Sequence, residues 1–342
     1  MTRPFHFLAI VALLMGGAAA LSGYLPRDDV FGGAGPSVAV DLAAMPVSSA
    51  AQLKLRHAER TPPFDLGLFG DSRSLAVSQA DIGPTVRFFN FSLSGQSVRA
   101  SVALLEALAR RGKAPRTAVI SLDHFELQYY GNPLWPAALE RWPLVWADLA
   151  DGLQRSDVSW RDWLRMGWRH LNIESDRFRM NLDAHFVRMG FETWMGGSDP
   201  ASFRHPYRPD GSMSNAVGDP APRPLGPIEP TTPQILPGFF RLDLQRLARV
   251  REQGVRIVLY ETPLHGESAA RFLKSPTAHA ALHRRIFLDE CRALGLDCHA
   301  APEVFAPDED WPDATHPPAA ALGAYIRAVI ASPMLARGRM AP

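Results

Sequence analysis

An α/β fold with a parallel sheet is predicted for most of this 342-residue chain. Between Phe64 and Leu122, short apolar runs alternate with helical segments in the order strand, helix, strand, helix, strand, which is typical of parallel sheets. The same alternation resumes near Leu242 and continues to Ile330. The hydrophobic content of 46% is that of a globular protein, and a net charge of +1 argues against a nucleic-acid partner.

One short stretch near residue 70 predicts a strand, a tight turn and the start of a helix. The run Leu66–Phe69 is apolar and short enough for a buried strand, and Gly70 permits a turn that a side chain would hinder. Asp71 and Ser72 both favour helix N-caps. Either they only cap a helix, or the turn lifts the Ser72 hydroxyl onto the carboxyl edge of the sheet, where open α/β sheets place ligands.

A histidine that could activate Ser72 lies near the far end of the chain. A serine hydroxyl is a weak nucleophile until a base takes its proton. Asp313 and His316 are three residues apart, close enough for the carboxylate to hold the imidazole in one tautomer, and neighbouring prolines restrict their loop. Ser72, His316 and Asp313 therefore form a candidate catalytic triad of nucleophile, base and orienting carboxylate.

These motifs, taken in order, resemble the SGNH (GDSL-type) hydrolases. Gly70-Asp71-Ser72 resembles the first block of that family, Phe88–Gly95 the second and Asp313-x-x-His316 the last. The resemblance implies a three-layer SGNH-hydrolase-like α/β fold in which the N–H groups of Ser72 and Gly95 hold the oxyanion. A helix beginning at Ser72 would add the partial positive charge of its N-terminus.

The third block departs from the family pattern. It usually reads Gly-x-Asn-Asp, and the corresponding residues 121–124 have neither the glycine nor the asparagine. An ionised Asp123 only accepts hydrogen bonds, so it does not replace the missing donor. This departure favours an alternative function, a catalytically inactive SGNH-like binding or assembly subunit of a polysaccharide export or modification system.

A closer likeness is to a bacterial envelope branch, similar to alginate O-acetyltransferase-like and teichoic-acid D-alanylation esterase-like proteins. It rests on the N-terminal apolar segment, the Gly-x-Ser-Arg-Ser-like turn and the second and third blocks, and it covers residues 60–125 and 240–330. It implies a serine-dependent O-acyl esterase or O-acetyltransferase, without metal or cofactor, that acts on a cell-envelope or exported polysaccharide. A membrane-bound O-acyltransferase-type protein is the partner that this likeness implies.

Residues 1–25 form the predicted targeting segment. Arg3 supplies a positive charge ahead of the apolar run Phe7–Leu14. Ala18-x-Ala20 would suit signal-peptidase cleavage, whereas Phe5–Leu25 is long enough to span a bilayer once. The length and the family likeness favour an uncleaved inner-membrane anchor, with the rest of the chain in the periplasm or otherwise outside the cytoplasm.

The remainder divides into a linker over residues 26–60, with a possible helix at Ser49–Arg60, and an α/β domain over residues 61–335. Residues 131–235 interrupt the α/β pattern and form a predicted insertion or cap. Seven of the eight tryptophans lie there: Trp135, Trp142, Trp146, Trp160, Trp163, Trp168 and Trp194. Either these rings shape a carbohydrate groove, or they pack the core of a small subdomain.

Several further residues are predicted to lie near the site, and two cysteines indicate the cellular compartment of the protein. The possible site-lining residues are Asp71, Arg73, Asn90, Asp123, His124 and His265. His265 follows the predicted strand Val255–Tyr260, so it either helps to hold substrate or is a structural hydrogen-bonder. Cys291 and Cys298 fit an exported protein, as a disulfide or as two buried thiols.

Overall fold

The computed structural model of the chain covers much of the predicted α/β domain. It describes Leu13, Gly17, Phe31, Trp160, Arg161, Leu164, Gln96, His265 and residues 47–93, 98–122, 207–213, 237–263, 276–302, 305–307, 310–312 and 316–332. Nearly all of the targeting segment and most of the insertion lie outside these residues. No helix within the described ranges is long and apolar enough to cross a membrane.

Five parallel strands form one sheet in the described part of the chain, in the order β2-β1-β3-β4-β5. They are β1 Leu66–Phe69, β2 Phe88–Asn90, β3 Thr117–Leu122, β4 Arg256–Glu261 and β5 Asp297–His299. Leu66 of β1 lies opposite Phe88 on one side and Thr117 on the other. The chain's winding direction reverses between β1 and β3, and ligands of such sheets bind at that point, beyond the carboxyl ends of the strands.

Helices cover both faces of this sheet. They are α1 Val47–Arg60, α2 Ser72–Leu75, α3 Gln79–Ile82, α4 Val98–Arg110, α5 Pro237–Glu252, α6 Pro276–Ala293 and α7 Ala319–Ala331. Successive strand residues enter two different cores: Ile120 packs with α1, α4, α5 and α6, and Val119 packs with α3 and α7. The predicted alternation of strands and helices over residues 64–122 and 242–330 is confirmed.

Helix α1 occupies the last 14 residues of the segment predicted as a linker. It begins two residues before the possible helix predicted at Ser49, and its side chains Ala51, Leu55 and Ala58 are buried in the larger core. Their spacing places them on one face of a helix. Residues 47–60 therefore pack as part of the α/β domain, because a spacer would leave this apolar face in water.

The two cysteines are joined in a disulfide. Cys291 lies near the end of α6 and Cys298 in β5, with 6.3 Å between their Cα atoms, which is within the usual range for a disulfide. Both residues are buried. The bond attaches the edge strand β5 to the helix that precedes it.

A buried network of charges joins α4 to α5. Arg246 of α5 contacts Glu106 of α4 at 2.6 Å and Asp243 of its own helix at 3.1 Å. Asp243 is also 3.2 Å from Arg99 of α4. The carboxylate of Asp243 is fully buried, so its two arginine partners supply the positive charge that burial requires.

Replacing Arg246 by methionine should lower the free energy of unfolding by about 3 kcal/mol, because it leaves two carboxylates short of a buried partner. Denaturant unfolding measures this loss. Arg241→Met is the matched control: Arg241 pairs with Glu290 but its side chain is 41% exposed, so the expected loss is below about 1 kcal/mol. A loss for Arg246→Met no larger than for Arg241→Met would contradict the assignment of the buried network as a major stabilising contact.

Candidate active site

The predicted strand, turn and helix start are present around Ser72. Strand β1 ends at Phe69, and α2 begins at Ser72 with Asp71 as its N-cap. The Asp71 carboxylate accepts a hydrogen bond of 2.9 Å from the Arg73 backbone N–H. Helix α2 is only 4 residues long, so its macrodipole is small and an oxyanion here would depend on individual N–H groups.

Gly70 is required for space. A side chain would hinder this turn, as predicted, but for a steric reason, because Gly70 is not among the described glycines with positive φ. A Cβ at this position would overlap Ser121 Oγ and lie 2.7 Å from Ser74 Oγ. The turn before Ser72 therefore packs directly against the end of β3, where the third sequence block begins.

Ser72 and His316 are in hydrogen-bond contact. The distance from Ser72 Oγ to His316 Nε2 is 3.0 Å, between residues 244 positions apart in the chain. When the imidazole carries its proton on Nδ1, Nε2 accepts the hydrogen bond that the serine hydroxyl donates. This is the spacing that a nucleophile and its general base require, and the structure thus brings together the two residues that the sequence singled out.

Helix α7 fixes the position of His316. Only Pro317 and Pro318 separate the histidine from this helix. Gly323 of α7 approaches Asp81 of α3 so closely that an added Cβ would lie 2.6 Å from Asp81 Cβ. Arg327 of α7 also donates a hydrogen bond to the Asp81 carbonyl. Since α3 follows α2 almost directly, Ser72 and His316 are anchored to neighbouring parts of the fold.

Asn90, in the second sequence block Phe88–Gly95, is hydrogen-bonded to the end of α2. Its side chain is fully buried, and its Nδ2 donates to the carbonyls of Ser74 and Val77, each at 2.8 Å. Its Oδ1 accepts from the Ser92 N–H at 2.9 Å. Asn90 therefore holds backbone in place beside Ser72, and its role as a possible site-lining residue stays a prediction.

The remaining predicted site residues differ in their surroundings. Arg73 is buried, with its Nε 4.0 Å from an Asp71 carboxylate oxygen, so opposite charges lie on both sides of Ser72 in the chain. His265 is also buried, and its ring packs edge-on against Trp311 at 5.3 Å between centroids. Trp311 lies five residues before His316 in the chain. Of the two alternatives for His265, its contact with Trp311 favours a structural role.

Four predicted site residues lie outside the described residues: Gly95, Asp123, His124 and Asp313. Their roles as oxyanion donor, site-lining residues and orienting carboxylate therefore stay predictions. Among the residues that the structure does describe, no group of three His, Cys, Asp or Glu side chains is placed to hold a metal ion.

Two buried polar residues near the site were not singled out from the sequence. The Tyr260 hydroxyl is 2.8 Å from Ser74 Oγ, and burial raises the pKa of Tyr260, which keeps it a neutral hydrogen-bonding phenol. Lys54 of α1 is fully buried beside the second motif. The sequence could have predicted its burial, because residue 54 falls on the apolar helix face that carries Ala51, Leu55 and Ala58.

Comparisons with protein-family models, with curated proteins and with solved structures give no match for this chain.

Proposed function

We propose that this chain is a serine-dependent O-acyl esterase or O-acetyltransferase of the SGNH type. The observation that carries the proposal is the 3.0 Å contact between Ser72 Oγ and His316 Nε2. Ser72 directly follows β1, beside the point where the strand order reverses, which is where parallel α/β sheets bind ligands. The order of the sequence blocks supports the same assignment.

In the proposed reaction, Ser72 Oγ attacks the carbonyl carbon of an ester while His316 Nε2 takes the serine proton. The tetrahedral intermediate then expels the alcohol, which leaves with the proton from His316, and the acyl group remains on Ser72. Water or a carbohydrate hydroxyl next attacks the acyl-serine and gives its proton to His316. The bond from the acyl carbon to Ser72 Oγ then breaks, and Ser72 Oγ takes the proton back from His316. Hydrolysis and transfer thus differ only in the acceptor of the acyl group.

Two further roles belong to the proposal because they follow from the resemblance. The N–H groups of Ser72 and Gly95 would hold the oxyanion of each tetrahedral intermediate. Asp313 would hold the His316 ring in the tautomer that leaves Nε2 ready to accept a proton. Asparagine at position 313 would favour the other tautomer, and the proposed base would lose its function.

The proposed substrate is an acetylated polysaccharide of the cell envelope or an exported polysaccharide. The likeness to the envelope branch and the predicted N-terminal anchor support this choice, and the buried disulfide fits an oxidising compartment. Trp160, in the predicted cap, is 67% exposed and helical, with the Arg161 guanidinium 5.5 Å from its ring centroid. An exposed indole offers a flat face suited to a sugar ring.

A fluorophosphonate probe tests the proposed chemistry without knowledge of the natural substrate. Such probes phosphonylate serines that a base activates, so we expect labelling of the wild-type chain at Ser72, detected by mass spectrometry of its peptides.

Ser72→Ala is the control for the probe, and it should abolish labelling while the protein stays folded. Labelling at another serine would contradict the assignment of Ser72 as nucleophile. Complete absence of labelling and of ester turnover in folded wild-type protein would favour the alternative of a binding subunit, which the missing asparagine of the third block also favours.

A further inference from the structure

Lys54 presents a buried ammonium to three backbone carbonyls. Its side chain is fully buried, and Nζ lies 2.7 Å from Asn90 O, 2.6 Å from Ser92 O and 2.8 Å from Gly211 O. An ammonium has three N–H donors, which matches these three acceptors, whereas a neutral amine would have only two. The geometry therefore fits the charged form of the side chain.

Burial in a protein core disfavours the charged form of a side chain, and Lys54 is fully buried. Burial lowers the pKa of Lys54, and the negative charge of Asp210 opposes that shift. The face of Tyr207 also lies against the ammonium, with 4.8 Å from Nζ to the ring centroid. An apolar residue would fill a core at lower desolvation cost, so the three carbonyl contacts require a specific explanation.

Two of those carbonyls belong to the segment that runs beside the nucleophile turn. Within this segment, the Phe91 N–H donates to Leu68 O at 2.7 Å and the Leu93 N–H donates to Gly70 O at 3.0 Å. Asn90, whose carbonyl binds Lys54, holds the end of α2 through its own side chain. Fixing residues 90–93 therefore fixes the backbone on both sides of Ser72.

The third carbonyl belongs to the turn Tyr207–Met213, which lies against the same two segments. The Met213 N–H donates to Leu75 O at 2.9 Å, and the Asp210 carbonyl accepts from the Asn90 N–H at 2.7 Å. Gly211 has φ +76°, and a Cβ there would lie 2.5 Å from Asn90 O, so only glycine allows this close approach. Lys54 is thus bonded to two of three chain segments that meet at Asn90.

We propose that Lys54 is a positioning residue, which holds Ser72 within reach of His316 through the backbone of residues 90–93. The side chain lies behind the nucleophile turn and acts on the substrate only through Ser72. The catalytic part of this inference rests on the proposed ester chemistry, whereas the positioning of Ser72 is measurable without it.

Lys54→Met tests the inference, since methionine fills similar volume without donors. We expect kcat for a small acetyl ester to fall by roughly 10-fold or more with little change in KM, because displacement of a nucleophile impairs the chemical step. Arg246→Met is the matched control, because it also removes a buried cation. It should lower the melting temperature and leave kcat unchanged at temperatures where the protein is folded.

A crystal structure of Lys54→Met gives the second measurement. The distance from Ser72 Oγ to His316 Nε2 should exceed 3.0 Å, while Arg246→Met should retain that distance. If Lys54→Met does not fold, Lys54→Gln, which keeps two N–H donors, carries both measurements, with an intermediate loss of kcat expected. An unchanged distance in the folded variant would overturn the inference, even if the chain proves to have no esterase activity. Failure of the ester chemistry alone would instead appear as absent turnover in the wild type.

Discussion

Alanine in place of Ser72 should lower turnover of a small acetyl ester by about 10⁴-fold or more. His316→Ala should cause a loss of similar size, because the serine hydroxyl then lacks its proposed base, whose Nε2 lies 3.0 Å from Ser72 Oγ. Since the two side chains act in one step, the double variant should be little worse than either single variant. Steady-state kinetics on all three variants measures this non-additivity.

His265→Ala is the control for removal of the base. His265 follows β4 and packs edge-on against Trp311, whereas His316 Nε2 lies 3.0 Å from Ser72 Oγ. Its replacement should therefore reduce turnover far less than His316→Ala does. Ser72→Ala protein that keeps wild-type turnover would show that this serine is not the nucleophile. Fully multiplicative losses in the double variant would show that the two residues act separately.

Gly70→Ala should lower kcat by about 100-fold, through displacement of the nucleophile. The added Cβ would overlap Ser121 Oγ and approach Ser74 Oγ to 2.7 Å, and β3 is too well packed to move away. The strain falls on the turn that precedes Ser72, so the distance between Ser72 and His316 should increase. Kinetics with an acetyl ester, together with thermal unfolding, separates loss of activity from loss of fold.

A second-site change provides the matching test for Gly70. Ser121→Gly removes the side chain that the new Cβ would overlap, so the double variant Gly70→Ala with Ser121→Gly should recover part of the lost kcat. Ser121→Gly alone should change kcat little. If the folded double variant recovers no kcat, the overlap with Ser121 is not the cause of the loss in Gly70→Ala.

The central strands were predictable because each has an apolar centre. Ala118–Ile120 in β3 and Ile257–Leu259 in β4 are short apolar runs, which is typical of strands covered on both faces. The candidate pair Ser72 and His316 was predictable for a different reason. Nucleophile and base chemistry restricts the residue types, and parallel strands bring their carboxyl ends to one edge, so distant motifs are expected to meet there.

The hydrogen-bond partners of Lys54 were not predictable from the sequence. A lysine on an apolar helix face indicates an unusual environment, but its partners are backbone carbonyls of Asn90, Ser92 and Gly211. Carbonyl groups are present at every residue, so the sequence does not mark which ones a buried ammonium will bind. Gly70 shows the same limit: a glycine that conformation requires and one that a neighbouring side chain requires are identical in sequence.

The separation of 244 positions between Ser72 and His316 has a consequence for synthesis of the protein. All five described strands precede His316 in the chain, so a nascent polypeptide can pair these five strands before the proposed base has been made. Contacts between such distant residues also tend to form late in folding, because closing a long loop opposes them. The proposed nucleophile would thus remain inert towards esters during translation and export, and activity would report that α7 has docked.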